Sequence, residues 1–434
     1  MEKVFHDNED GTLNVSVTYV EKDYTPVVQK VIDRLCEKVT VRGFRPGKAP
    51  KERAMAYLKS EDIYNGMVNK LIDKDFPSLL DGFEGDNEVA NIQPSLDIKN
   101  DDKKKSYNFL YTFVFLPSAK VEKITGLNIK EEKKEIKDAD VQAEIARLAK
   151  DQAELVPSKE AAADGDHVSI DFVGYVDGKE FDGGSAKDYE LVLGSHSFVP
   201  GFEEALIGIK EGDKKTVEIT FPANYLATLA NKPAKFLVTC KGVKKVVLPE
   251  LNDEFAASLT EYKVKTLDEL KKAIQEKLTK DAASASRADK INKIFAELEK
   301  TAKVVVSDRY LQLAANSVQE NQINQFKQYG MTLEEYLKIA GLDMAKFQEN
   351  CKNVAKGDAV RYALTKGVAK AAKLEVNDDD VANRFGGKEK FDSLMKAAKE
   401  QQEKNPSFNI GAYLANVREE ILQGKVNDYL YANN

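Results

Sequence analysis

The hydrophobic period of this chain changes along its length, and that change limits the fold more than any other feature. Between residues 153 and 246 apolar side chains alternate over short runs and glycines are frequent. From 247 to 434 apolar residues recur at helical spacing, and glycine and proline are scarce. Alternation suits a pleated strand and the longer spacing suits a helix, so the two stretches build different layers. A chain of 434 residues also exceeds what one core holds, and two to four domains are expected.

In the alternating stretch, "HVSIDFVGYVDGKEF" reads as two strands around an Asp-Gly turn, and "KKTVEITF" and "AKFLVTCKGV" as two more. Residues 1–117 read as an α+β unit. "TLNVSVTYV" alternates like a strand. From Thr25 a helix gathers Val27, Val28, Val31, Ile32 and Leu35 on one face, with Pro26 suited to its first turn. Helices follow in "PKERAMAYL" and "SEDIYNGMVNKLIDKDF", then strands in "NEVANIQPSLDIK" and "SYNFLYTFVFLP". Residues 118–152 are a charged connector ending in a helix with Asp138 as N-cap. "KEIKDADVQAEI", "VVVSDRYLQLAA" and "LEVNDDDVANRF" each set Ser, Asn or Asp before an amphipathic run. Helix capping accounts for the recurrence; a repeated helix-hairpin unit is the alternative. The triple acid at 378–380 lacks the glycine and terminal glutamate of a calcium loop, so it reads as helix N-terminal charge.

The formal net charge is −7, so nucleic-acid contact needs a local basic patch. Cys36, Cys240 and Cys351 are far apart in sequence, which argues against a disulfide framework and for a reducing compartment. His6, His167 and His196 lack metal-ligand spacing, and no metal or cofactor is expected. The N-terminus lacks the basic start and apolar run of a secretory leader, and no stretch approaches 18 apolar residues. The expected location is cytoplasmic, with no membrane contact.

The stretch "VRGFRPGKAP", residues 41–50, carries two glycines and two prolines and reads as a loop, with Phe44 at its exposed crest. Gly43 and Gly47 are too close for a phosphate-binding P-loop, and Ala49 stands where that motif needs Ser or Thr. Arg42, Arg45, Lys48, Lys51 and Arg53 face a single acid, Glu52, a density of cations that attracts phosphate. Phe44 beside them suits stacking or insertion into an apolar pocket. The alternative is a tight turn whose Phe44 folds back into the core.

"GFRPGKAP" resembles the ribosome-docking signature Gly-Phe-Arg-x-Gly-x-x-Pro of the trigger factor family, through Gly43, Phe44, Arg45, Gly47 and Pro50. Pro46 stands where the family commonly carries Lys, which removes a cation and stiffens the loop. The resemblance implies that Arg42, Gly43, Phe44, Arg45, Pro46, Gly47 and Lys48 dock on a ribosomal protein beside ribosomal RNA near the exit tunnel.

The alternating stretch resembles the FKBP-type peptidyl-prolyl isomerases, in order through "VGYVDGKEFDGG", "LVLGSHSFVPGFEEAL" and "GIKEGDKKTVEITFP". By position, the resemblance assigns the pocket to Phe172, Phe181, Tyr189, Phe198, Val199, Phe202, Tyr225, Phe236 and Val238. Phe202 falls at the floor, where many members carry Trp, and Phe172 stands where many carry Tyr. Asp182 is the single acid expected at the edge.

The whole order of parts resembles trigger factor. It implies a multidomain α+β chain with a docking domain (1–117), an FKBP-like β-rich domain with one short helix (153–246), and an all-α C-terminal domain (247–434). Residues 118–152 join that last domain and make it discontinuous. The implied function is a ribosome-associated chaperone for nascent and unfolded polypeptides that also isomerises Xaa-Pro bonds. A monomer–dimer equilibrium off the ribosome is implied with it. The alternatives are a stand-alone FKBP-type isomerase and a chaperone with an inactive prolyl pocket. Phe326, Tyr329, Met331, Tyr336, Leu337, Phe347 and Tyr362 are candidates for client contact, each with helix core as its competing reading.

Overall fold

The computed structural model describes residues 2–45, 47–222, 229–405 and 409–434, with Asp182 described in its backbone only. The chain opens with β1 (Glu2–Asp7), β2 (Thr12–Val20), α1 (Glu21–Lys38), α2 (Lys51–Met55), α3 (Ser60–Asp75), β3 (Ser95–Asp101) and β4 (Ser106–Val114). The strands form one antiparallel sheet in the order β1-β2-β4-β3. Alternation turns Leu13, Val15, Val17 and Tyr19 of β2 inward beside Phe109, Tyr111 and Phe113 of β4, and Met67 and Leu71 of α3 join the same core. Inside it the Tyr19 hydroxyl donates to the buried Asp75 carboxylate at 2.9 Å.

Helix α1 begins at Glu21, four residues before the expected Thr25, and Pro26 lies within the helix rather than in its first turn. Acids explain the early start: the Asp23 carboxylate accepts the Val20 N–H at 3.2 Å, and Glu21 precedes it. Pro26 gives no N–H to the ladder, and the Thr25 hydroxyl donates to the Glu21 carbonyl at 2.6 Å one turn back.

After β5 (Ser118–Lys120) come α4 (Asp138–Asp151), β6 (Glu154–Ser158), β7 (His167–Val176), β8 (Lys179–Val192), α5 (Phe202–Leu206), β9 (Lys214–Thr220), β10 (Pro233–Val247), α6 (Asp253–Ser258) and α7 (Leu267–Thr301). The N-cap of α4 is Lys137, not Asp138, because the Asp140 carboxylate accepts the Lys137 N–H at 2.9 Å. Val141, Ile145 and Leu148 of α4 pack against Phe255, Leu270 and Ile274. The sheet runs β6-β10-β7-β8, with β9 also on β10, all antiparallel. The β7–β8 hairpin turns through Asp177 and Gly178, both at positive φ (52° and 76°), as a two-residue turn matched to right-handed strand twist requires.

The remaining elements are β11 (Lys303–Val305), α8 (Asp308–Gln328), α9 (Leu333–Ala340), α10 (Met344–Ala372), α11 (Asp378–Arg384), α12 (Lys388–Lys404) and α13 (Ile410–Asn433). β11 pairs antiparallel with β5, and α10 backs onto β5 so closely that a Cβ on Gly367 would lie 2.6 Å from the Ala119 carbonyl oxygen. Ile294, Leu298, Leu364, Val368, Val426 and Leu430 form the core here, with Val121, Leu127 and Ile129 packed on it. Side-chain caps start these helices: Ser307, Thr332, Asp343, Asn377 and Asn409 each accept the N–H three residues on. Within the triple acid, Asp378 pairs with Arg418 and Asp380 with Lys425. Among the client-contact candidates, Phe347 is buried and Tyr336 stacks on Phe326 at 4.1 Å, whereas Tyr329 is 78% exposed. No helix among the described residues is long and apolar enough to cross a membrane.

Candidate active site

Aromatic side chains converge on one face of the five-stranded sheet. Phe172 on β7 lies 5.3 Å from Phe198, 5.8 Å from Tyr189, 6.0 Å from Phe202 and 6.2 Å from Phe236 between ring centroids. Phe202, first residue of α5, stacks on Phe198 at 4.5 Å and meets Phe236 edge-on at 5.2 Å. Phe181 touches Phe236 at 6.0 Å. These are the separations at which offset and edge-to-face rings attract. Phe172, Phe202, Phe236 and Val238 are buried, Phe181, Phe198 and Val199 are partly buried, and Tyr189 is 39% exposed. The accessible margin of the cluster is therefore aromatic, over a dry floor.

Local sequence sets this arrangement. On β10, alternation buries Ala234, Phe236, Val238 and Cys240 together. Gly201 turns the chain at φ 93° into α5. On β8 a bulge opposite Asp171 interrupts the register, and Asp188 adopts φ 50° there. The Asp188 N–H donates to Asp171 Oδ1 at 2.8 Å, and Lys241 pairs with the same carboxylate at 3.2 Å. The Asp188 amide first, and Lys241 after it, hold the Asp171 carboxyl below its ordinary value. The bulge delivers the next residue, Tyr189, to the cluster.

Two participants were not anticipated from sequence. Phe221 stands 5.8 Å from Phe181, and the alternation of Val217, Ile219 and Phe221 in "TVEITF" was the signal for it. Glu203 is buried beneath the loop carrying Phe198; a Glu-Glu pair at a helix start looks like ordinary dipole charge and gave no warning. Tyr225, Pro46 and the side chain of Asp182 lie outside the described residues.

The loop at 41–50 differs from its expected form. Phe44 is not held out at the crest: it is half-buried against the small core of Cys36, Val41 and Ala54, with the Arg53 guanidinium 5.8 Å over its ring. The Phe44 N–H bonds the Val41 carbonyl at 3.0 Å, which folds the ring back onto its own helices. Gly47, at φ 71°, runs so close to α1 that a Cβ would sit 2.5 Å from the Glu37 carbonyl oxygen. Arg42, Arg45 and Lys48 are exposed and form no ion pair with the described residues, whereas Lys51 pairs with Asp33.

Known proteins match along the chain. Residues 1–148 match the family model described as bacterial trigger factor protein, 158–244 that of FKBP-type peptidyl-prolyl cis-trans isomerase, and 266–432 that of the trigger factor C-terminus. The trigger factor of Halalkalibacterium halodurans is 34% identical over 378 residues, 86% of each chain. That of Shouchella clausii is 32% identical over 87% of this chain and 86% of its own. That of Halothermothrix orenii is 30% identical over 98% and 97%. The chain belongs to the trigger factor family. It is a chaperone of that family with an FKBP-type peptidyl-prolyl cis-trans isomerase domain. Its trigger factor fold consists of an N-terminal α/β region, the β-rich isomerase domain and a helical C-terminal region.

Proposed function

We propose that the aromatic cluster of Phe172, Phe198, Phe202 and Phe236, with Phe181, Tyr189 and Val199 at its margin and Val238 behind, is the site at which this trigger factor isomerises Xaa-Pro bonds. The observation that supports this most is the contiguity of rings from four separate elements around one dry floor. Rotation about an Xaa-Pro bond breaks no covalent bond and needs no nucleophile. Its barrier of roughly 18–20 kcal/mol comes from amide resonance, which separates charge between nitrogen and oxygen. An apolar surface disfavours that planar, charge-separated form relative to the twisted one, and it grips the proline ring. Asp182 belongs to the same reading as the acid at the pocket edge, and Tyr225 as one of its lining residues.

The reading extends to the other parts. Residues 1–117 dock on the ribosome, and the helical part formed by 118–152 and 247–434 shields clients, flanking the isomerase domain at 153–246. Docking uses the exposed cations Arg42, Arg45 and Lys48 at the loop tip, with Gly43, Phe44, Pro46 and Gly47 shaping it. The protein works in the cytoplasm on nascent chains, and off the ribosome its copies pair reversibly. The test of the prolyl site is kcat/KM on a short Xaa-Pro peptide. Phe198→Ala, which alters a partly buried ring, is expected to lower it at least about tenfold with the fold retained. Unchanged turnover would remove the cluster from the mechanism.

A further inference from the structure

We propose that Glu203 is a positioning residue for prolyl isomerisation: its buried carboxylate fixes loop 195–198 and so sets the Phe198 ring over Phe202. This rests on the cluster being the prolyl site, as read above.

Glu203 is only 3% exposed, yet no cation pairs with it among the described residues. A buried carboxylate without a counter-ion is costly unless donors surround it. Here four do. Its Oε1 accepts the Phe198 N–H at 2.9 Å and the Ser195 and Ser197 hydroxyls at 3.3 Å each. Its Oε2 accepts the His196 N–H at 3.0 Å. The loop needs such an anchor: residues 195–199 belong to no strand or helix, and His196 stands at φ 55°, a conformation few non-glycine residues adopt. The neighbouring Glu204 faces the other way and closes only the helix start, through the Gly201 N–H at 2.9 Å. Among the described residues, every donor to Glu203 comes from the four residues ending at Phe198, and the Phe198 ring both covers Phe202 and meets Tyr189 at 5.4 Å. A carboxylate one residue past the floor ring thus grips the backbone of the ring stacked on it.

The chemistry requires an anion. In Glu203→Gln one oxygen becomes an NH2 group, and in either orientation that group faces a backbone N–H, donor against donor. The variant keeps the side chain's shape and releases one end of the loop.

The experiment is a double-mutant cycle on the full chain, measuring kcat/KM on a short Xaa-Pro peptide at a temperature where circular dichroism shows every variant folded. Glu203→Gln should lower kcat/KM by about tenfold, since misplacement on the order of 1 Å costs up to ~100-fold. In the Phe198→Ala background the same change should cost less than about twofold, because its route of action is gone. Two results would overturn the proposal while leaving the site intact: Glu203→Gln without effect beside an impaired Phe198→Ala, or two losses that multiply in full. An unimpaired Phe198→Ala would instead overturn the reading of the cluster, and the proposal with it. A measurement on the unaltered protein guards against a variant that does not fold. Hydrogen exchange should show the His196 and Phe198 amides protected; exchange as fast as in open loops would overturn the anchoring role.

Discussion

Tyr19 and Asp75 illustrate how single residues here carry more than their packing. Burial first, and the bond to Asp75 second, raise the Tyr19 phenol well above its ordinary value, so the hydroxyl stays a donor at any working pH. Tyr19→Phe removes the donor and leaves a buried carboxylate without it. The expected loss is about 1–3 kcal/mol in urea denaturation of the N-terminal unit, where an exposed Tyr→Phe change costs almost nothing. Glu203 makes a pH prediction of opposite character. Burial alone would raise its carboxyl, but the Phe198 and His196 amides and the two serine hydroxyls outweigh burial and hold it below the ordinary value. A depressed native value means that its stabilisation is full above the ordinary carboxylate range and is lost as pH falls through the native one. The stability gap between the unaltered protein and Glu203→Gln should therefore be widest near neutrality and close as pH falls below the ordinary carboxylate range, since glutamine does not titrate. Urea midpoints of the isomerase unit at several pH values measure this; a gap that widens in acid contradicts it.

At the scale of elements, the loop between α1 and α2 separates shape from charge. Gly47→Ala puts a side chain at positive φ, which costs roughly 1–2 kcal/mol, and drives its Cβ into the Glu37 carbonyl. It should lower both stability and ribosome co-sedimentation. Arg42→Ala with Arg45→Ala and Lys48→Ala should abolish co-sedimentation alone, with melting unchanged, because these side chains are exposed and form no ion pair among the described residues. Unchanged pelleting of the triple variant would end the docking proposal. The same loop marks a limit of sequence reading. Glycine and proline announced a turn, but whether Phe44 pointed outward depended on a pocket formed by Cys36, Val41 and Ala54, which only the paired helices create. Elements with local signals were legible: the alternation of β2, the Asp-Gly hairpin, and the Ser307 and Asn377 caps. Two edge strands, β1 and β6, were not. β1 carries Glu2, Lys3, His6 and Asp7, and β6 is short, exposed and holds Pro157, as edges that avoid mispairing do. At the candidate site the order of aromatic positions was readable because rings recur at fixed offsets. The anchoring of their loop by Glu203 was not, since a buried carboxylate and a surface one have the same letter.

For the whole molecule, the proposal is that prolyl isomerisation and client protection belong to separately built parts of one chain. The isomerase sheet has its own core, and the C-terminal helices have another, with exposed apolar side chains such as Tyr329 and Ile339. A site sized for one proline contacts few residues of an unfolded client, whereas many weak contacts on one scaffold add avidity. The join makes the separation testable: β6 and β10 pair with Ser158 opposite Val243, so the ends left by removing 159–242 lie side by side, and a two-residue turn closes them. The most direct measurement is light scattering from an aggregating unfolded protein with the full chain, with this deletion, and with the isolated isomerase segment. The deletion should keep most of the protection while losing all turnover of an Xaa-Pro peptide, and the isolated segment should protect little. Protection that vanishes with the deletion and stays with the isomerase segment would contradict the account.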